Sequence, residues 1–166
     1  MATALFIGRF QPFHKAHLEV IKDILKENQE VIIAIGSSQF SNEPDNPFSY
    51  DERKDMITES LEKNKISNYA IVELPDQFDD ERWMEYILSE LPSFDVFYSG
   101  NEMTQEIFSQ EGIKVIKVIL FEGINGTEIR DKIAKEEKWE HLVPETISDF
   151  IKKVDGVERI KKSSSN

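Results

Sequence analysis

Short apolar runs alternate along this chain with longer stretches in which apolar positions recur every three or four residues. The runs cover residues 5–7, 30–35, 69–74, 96–98 and 114–119. In Val31-Ile32-Ile33-Ala34-Ile35 no polar residue interrupts the run, which predicts a strand covered on both faces, as in a parallel sheet. Between the runs the period changes to that of a helix. From His17 to Glu27 the pattern places Leu18, Ile21, Ile24 and Leu25 on one stripe. A second helix is expected after Ser49, with Glu52 at capping-box spacing and Met56, Ile57 and Leu61 turned inward. A third is expected over residues 81–91, and a fourth over 102–110, stopped by Gly112. A fifth starts at Gly126-Thr127, with Thr127 as the expected N-cap, and a last one follows Pro144.

This order predicts an α/β fold: an open, doubly wound parallel sheet of five or so strands, Rossmann-like, with helices on both faces and right-handed crossovers. Ligands of such sheets bind beyond the carboxyl ends of the strands, at the point where strand order reverses. One domain over residues 1–162 is expected, with residues 163–166, SSSN, as a disordered tail. The stretch SSQFSNEPDNPFS, residues 37–49, is too rich in Ser, Asn and Pro for regular structure, and loops of that length are often functional.

Bulk composition narrows the function. The 166 residues suffice for one well-packed core. Lys and Arg total 20 against 32 Asp and Glu, a formal charge of −12. That field repels DNA and RNA backbones but leaves room for a small phosphorylated ligand, because a few local cations outweigh distant charge screened over about 10 Å. There is no cysteine, which removes disulfides and thiolate metal sites and fits a reducing, cytoplasmic setting. Neither a signal peptide nor a membrane span is read in the sequence.

Candidate chemistry concentrates in GRFQPFHKAH, residues 8–17, which follows the first expected strand and opens the first expected helix. His14 and His17, three residues apart, suit one face of a helix start, where backbone N–H groups and the helix dipole favour anions. The alternative is a pair of surface or capping histidines; the chain has 3 histidines in all, and His141, beside Trp139, reads as structural. Arg130, near the start of the fifth helix, has the geometry to grip phosphates bidentately, or to pair with Asp131 or Glu128 on the surface. Neither GxxxxGK[ST] nor GxGxxG occurs, and no His, Asp and Glu cluster has metal-cage spacing, so no protein-bound metal is expected.

GRFQPFHKAH resembles the GRxxPxHxGH signature of the HxGH nucleotidyltransferases, and GTEIR, residues 126–130, resembles the second signature of that superfamily. Together with IGSSQ, NPFSYDER and FYSGN, in this order, the chain is similar to nicotinamide-nucleotide adenylyltransferases of the archaeal type. The likeness extends over residues 5–160. Two positions depart from the pattern: Ala16 stands where a glycine is usual, and Asn125 where a serine is common.

The resemblance implies transfer of AMP from ATP to nicotinamide mononucleotide, giving NAD and pyrophosphate. Such a reaction needs two anions held together and charge stabilised as pyrophosphate leaves. It assigns His14, His17 and Arg130 to catalysis. It assigns Gly8, Arg9, Phe10, Gly100, Asn101, Asn125, Gly126 and Thr127, with those three, to ATP. Arg9, Ser37, Ser38, Phe48, Arg53 and Trp83 fall to the mononucleotide, with Trp83 stacking on the nicotinamide ring. Turn, cap and core roles compete at Ser37, Ser38, Gly100, Asn101 and Trp83. Mg²⁺ is expected to arrive with ATP, and a homo-oligomer, with hexamers among the assemblies, is implied. Other HxGH transferases (cytidylyl, pantetheine-phosphate or flavin adenylyl) and a non-catalytic nucleotide sensor remain as alternatives.

Overall fold

A computed structural model describes residues 2–119 and 123–164. The chain forms two compact units, and each draws on three separate segments: 1–8, 20–38 and 68–120 for the first, 9–19, 39–67 and 121–166 for the second.

The first unit holds the sheet. Its strands are β1 (Thr3–Gly8), β2 (Glu30–Gly36), β3 (Tyr69–Leu74), β4 (Val96–Ser99) and β5 (Lys114–Lys117). They run in the order β3-β2-β1-β4-β5, and every pair is parallel. The chain builds outward from β1 through β2 to β3, then returns to the other side of β1 with β4. The switch point therefore lies between β1 and β4. The uninterrupted apolar run of β2 is buried from Val31 to Gly36, as strands covered on both faces require.

Helices α3 (Asp80–Glu90) and α4 (Glu102–Gln110) belong to this unit, as does α1 (Lys15–Glu27) from Val20 onward. Leu5, Ile32, Leu74, Ile87, Phe97 and Phe108 sit in one apolar cluster, in which Phe97 and Phe108 stack with ring centroids 3.7 Å apart. The last turn of α1 is closed by Asn28, whose amide donates to the Ile24 carbonyl at 2.9 Å and to the Tyr98 hydroxyl at 2.8 Å.

The second unit contains α2 (Tyr50–Lys63), α5 (Gly126–Ala134), a short 3-10 turn at Glu140–Leu142, α6 (Glu145–Lys153) and α7 (Gly156–Ser164). Helix α6 packs on α2, and α7 packs on both α5 and α6. The capping box read in the sequence is present: Glu52 N–H donates to Ser49 Oγ at 3.1 Å, and Ser49 N–H to Glu52 Oε1 at 2.9 Å. Arg159 of α7 completes it, donating to Glu52 Oε2 at 2.6 Å and Oε1 at 2.9 Å. That bidentate pair holds the Glu52 carboxyl below its ordinary pKa and raises Arg159.

Several element ends differ from expectation for local reasons. Helix α1 starts at Lys15 because His14 caps it. Asn125, not Thr127, caps α5: its Oδ1 accepts from Glu128 N–H at 2.8 Å. Strand β5 stops at Lys117, where β4 ends at Ser99; Val118 N–H makes the last bond, 2.9 Å to the Ser99 carbonyl, and Ile119 is exposed. Helix α7 was not expected at all. Ser163 and Ser164, expected in a tail, lie in its last turn. The rest of that expected tail, 165–166, lies outside the described residues. Trp139 is buried, whereas His141 is exposed.

Gly156 makes the α6–α7 corner. A Cβ there would lie 2.7 Å from Ile151 Cγ2 and 2.9 Å from the Ile151 carbonyl oxygen, and backbone does not yield as a side-chain tip does. Gly156→Ala is therefore expected to destabilise the fold by about 1–3 kcal/mol, read from the urea midpoint at unchanged slope.

Candidate active site

In the second unit the chain opens with Arg9, which is exposed, and Phe10, which takes a left-handed φ of 54° and is buried. His14 precedes α1 as its cap. Its backbone N–H donates to His17 Nδ1 at 3.2 Å, and His17 N–H donates to His14 Nδ1 at 3.4 Å. The imidazoles stack with centroids 3.6 Å apart and planes 16° from parallel. The two histidines thus meet across the helix start, as a reciprocal cap, rather than along a shared helix face.

This pairing fixes their chemistry. A backbone N–H can only donate, so both Nδ1 atoms carry lone pairs and the ring hydrogens sit on Nε2. Phe10 packs edge-on to His17 at 4.6 Å, and Phe13 stacks on it at 5.5 Å. Burial lowers the pKa of His14 to about 4. His17 falls well below its ordinary value, first through burial and then through the His14 charge. At neutral pH both rings are uncharged Nε2–H donors.

The second signature reaches the same loop. Arg130, only 8% exposed, donates from Nη1 to the Gln11 carbonyl at 2.8 Å and from Nη2 to Thr127 Oγ1 at 3.3 Å. Gly126 leaves space for this guanidinium: a Cβ there would lie 2.8 Å from Arg130 Nη1 and 3.3 Å from the Gln11 carbonyl oxygen. Burial lowers the Arg130 pKa, nearby Arg9 lowers it further, and Asp45, 3.9 Å from Nη2, opposes both. The imidazole-bearing loop and the late guanidinium therefore converge.

Two residues that the resemblance assigns to the mononucleotide are held by partners within the protein. Arg53 has no exposed surface. Its guanidinium donates to the backbone carbonyls of Arg9 at 3.0 Å, Ser49 at 3.2 Å and Phe40 at 3.4 Å. It braces the loops that carry these carbonyls; burial draws its pKa down to about 10, so it stays charged. Phe48 is also fully buried. Its backbone is held in both directions by the Gln11 side chain, which donates to the Phe48 carbonyl at 2.9 Å and accepts from Phe48 N–H at 3.0 Å. Sequence reading passed over Gln11, though it lies inside the first signature. A buried amide among aromatics and a proline signals a backbone partner.

In the first unit, Gly8, Ser37, Ser38, Gly100 and Asn101 all lie at the carboxyl ends of β1, β2 and β4. Ser37 adopts φ 47°, and its Oγ donates to Asp76 at 3.0 and 3.1 Å. Asn101 caps α4 through Oδ1, which accepts from Thr104 N–H at 3.1 Å. Trp83, half-buried, stands edge-on to Phe108 at 6.0 Å and lines an open cleft of about 520 Å³. Asp76, Phe78, Asp79, Asn101 and Met103 share that cleft, so Trp83 and Asn101 face one space although they were assigned to different substrates. Among the described residues, no group of three or more His, Asp or Glu is arranged to hold a metal, and no helix is long and apolar enough to cross a membrane.

The depressed His14 has a thermodynamic consequence. The unfolded chain protonates this ring near 6.5, the folded chain near 4. Stability from this group is complete above 6.5 and is lost as pH falls toward 4, by at most about 3 kcal/mol. Urea unfolding at pH 7 and 4.5 is expected to show a larger loss for the native chain than for His14→Gln. At Gly126, alanine is expected to displace the Arg130 guanidinium and weaken binding of inorganic tripolyphosphate about tenfold by calorimetry, with a change in melting temperature of only a few degrees.

Comparison with known proteins agrees with this geometry. The model of the cytidylyltransferase-like family matches residues 5–147. A protein of Methanolobus tindarius named nicotinamide-nucleotide adenylyltransferase is 44% identical over 168 residues, covering 100% of this chain and 96% of that protein. One of the same name from Methanococcus vannielii is 45% identical over 161 residues, covering 96% and 93%. Among solved structures, the bifunctional NMN adenylyltransferase/ADP ribose pyrophosphatase of Francisella tularensis, complexed with AMP and a manganese ion, superimposes with a TM-score of 0.82 at 26% identity. That match takes in 99% of this chain but 53% of the bifunctional protein, so the chain spans about half its length. The chain belongs to the cytidylyltransferase-like family and, within it, to the nicotinamide-nucleotide adenylyltransferases.

Proposed function

We propose that this protein transfers AMP from ATP to nicotinamide mononucleotide, releasing NAD and pyrophosphate. The observation that carries the reading is the convergence of both signatures on Gln11: its carbonyl accepts from Arg130, in the loop that ends at the stacked histidines. An oxygen of the mononucleotide's 5′-phosphate attacks the α-phosphorus of ATP. The bond from that phosphorus to the bridging oxygen breaks, and the electron pair leaves on pyrophosphate. The nucleophile is already anionic, so no strong base is required; a pair of neutral Nε2–H donors and fixed cations suits this demand.

In this reading His14 and His17 donate to the triphosphate, with His17 nearest the α-phosphate. Arg130 and Arg9 balance the charge of the β- and γ-phosphates and of the acceptor phosphate. Gly8, Phe10, Asn125, Gly126 and Thr127 shape the ATP side with Gly100 and Asn101, while Ser37, Ser38 and Trp83 serve the acceptor. Mg²⁺ enters with ATP, held mainly by phosphates and water. Residues 1–162 act as one cytoplasmic nucleotidyltransferase domain within a homo-oligomer.

A panel of nucleoside triphosphates and phosphorylated acceptors tests the reading. Pyrophosphate is expected only from ATP with nicotinamide or nicotinate mononucleotide. His17→Ala is expected to lower kcat by about 10²–10³ with the fold intact by circular dichroism. Preferred turnover of a cytidylyl, pantetheine-phosphate or flavin acceptor would assign the chain to another HxGH reaction, and tight nucleotide binding without turnover would make it a sensor.

A further inference from the structure

Among the cations around Gln11, one carries an acid in its reach. Asp45 Oδ1 stands 3.9 Å from Arg130 Nη2, with 78% of the Asp45 side chain exposed against 9% for Arg130. A negative charge in water is here set against a cation sunk in protein. Asp45 sits at the tip of a short hairpin. Asn42 N–H donates to the Pro47 carbonyl at 3.2 Å, and Glu43 and Asn46 exchange backbone bonds at 3.2 and 3.1 Å. The hairpin is anchored at its base, where Arg159 donates to the Pro47 carbonyl at 2.7 Å and to Asn42 Oδ1 at 3.1 Å. Its tip is less satisfied: Asn46 is 6% exposed, and its side-chain oxygen has no hydrogen-bond partner.

We propose that Asp45 is a resident counter-ion of the phosphate cradle, its carboxylate standing on Arg130 where a substrate phosphate binds and yielding when a polyphosphate arrives. The inference rests on the triphosphate reading of Arg130 given above. An acid at this position does nothing for ground-state binding of an anion; it opposes it. What it supplies is release. It lowers the affinity for pyrophosphate along with that for ATP, and it offers Arg130 a replacement partner as the product departs. It also keeps a mostly buried guanidinium from standing uncompensated beside Arg9 in the empty state, the arrangement by which Asp45 offsets the depression of the Arg130 pKa.

Calorimetric titration of inorganic tripolyphosphate and pyrophosphate into the full chain, without divalent cation, tests this. Asp45→Asn is expected to bind both ligands roughly three- to tenfold more tightly at low salt, and Asp45→Glu to stay near the native value. The gain is expected to shrink at high salt, because the exposed carboxylate is screened. In an Arg130→Ala background the Asp45→Asn gain is expected to vanish, the sign of direct coupling. In turnover, inhibition by pyrophosphate is expected to strengthen by the same factor in Asp45→Asn. Unchanged or weaker binding by Asp45→Asn overturns the proposal, as does a loss seen only with Mg²⁺ present, which would make Asp45 a partner of the cation. A chain that makes no NAD yet shows the tripolyphosphate gain would sink the reaction and keep the counter-ion. A chain that makes NAD with no such gain would do the reverse.

Discussion

The carbonyl of Gln11 is the point through which the second unit of this protein is organised. It accepts from Arg130 at 2.8 Å, while the Gln11 side chain, buried beneath it, fixes the Phe48 backbone through both amide atoms. Three chain segments, the loop after β1, the loop before α2 and the start of α5, depend on this one residue. Each bond is worth only about 1 kcal/mol net, but leaving a buried amide or guanidinium unpaired costs more, so the arrangement is enforced by penalty more than by attraction. Gly126 is part of the same constraint, since a Cβ there would take the space of the guanidinium.

Around that point cations are divided by task. Arg53, wholly buried on three carbonyls, and Arg159, clamped on Glu52, hold loops. Arg9 is exposed, and Arg130 keeps a small exposed surface beside Asp45. The histidines are treated differently again. Their reciprocal cap uses up both Nδ1 atoms and leaves neutral rings, so the site gains hydrogen-bond donors without adding repulsion among its arginines. A chain with a formal charge of −12 thus builds a locally cationic loop from very few groups.

The first unit shows the same economy at the strand ends. Ser37 holds a left-handed conformation that Asp76 supports through its hydroxyl, and Asn101 caps α4 with the side chain that faces the cleft. Capping and ligand roles are often posed as rivals for such residues. Here the cap is what orients the side chain, and Trp83, edge-on to Phe108, is likewise half core and half cleft wall.

By itself the sequence determined the strands, the parallel sheet, the positions of helices α1 to α6 and both signatures, because hydrophobic period and capping chemistry act over a few residues. Val31 to Ile35 has no other use than a doubly covered strand, and Ser49 with Glu52 has little other use than a capping box. Tertiary structure alone decided which arginine is exposed, that Phe48 is core, that Asn125 caps α5, and that Asp45 stands on Arg130. It also decided that α7 is a helix, through the Gly156 corner and the pairing of Arg159 with Glu52, 107 residues away in sequence. Those outcomes turn on desolvation and on partners distant along the chain, and neither burial nor a remote carbonyl leaves a periodic mark in the residues that answer to it.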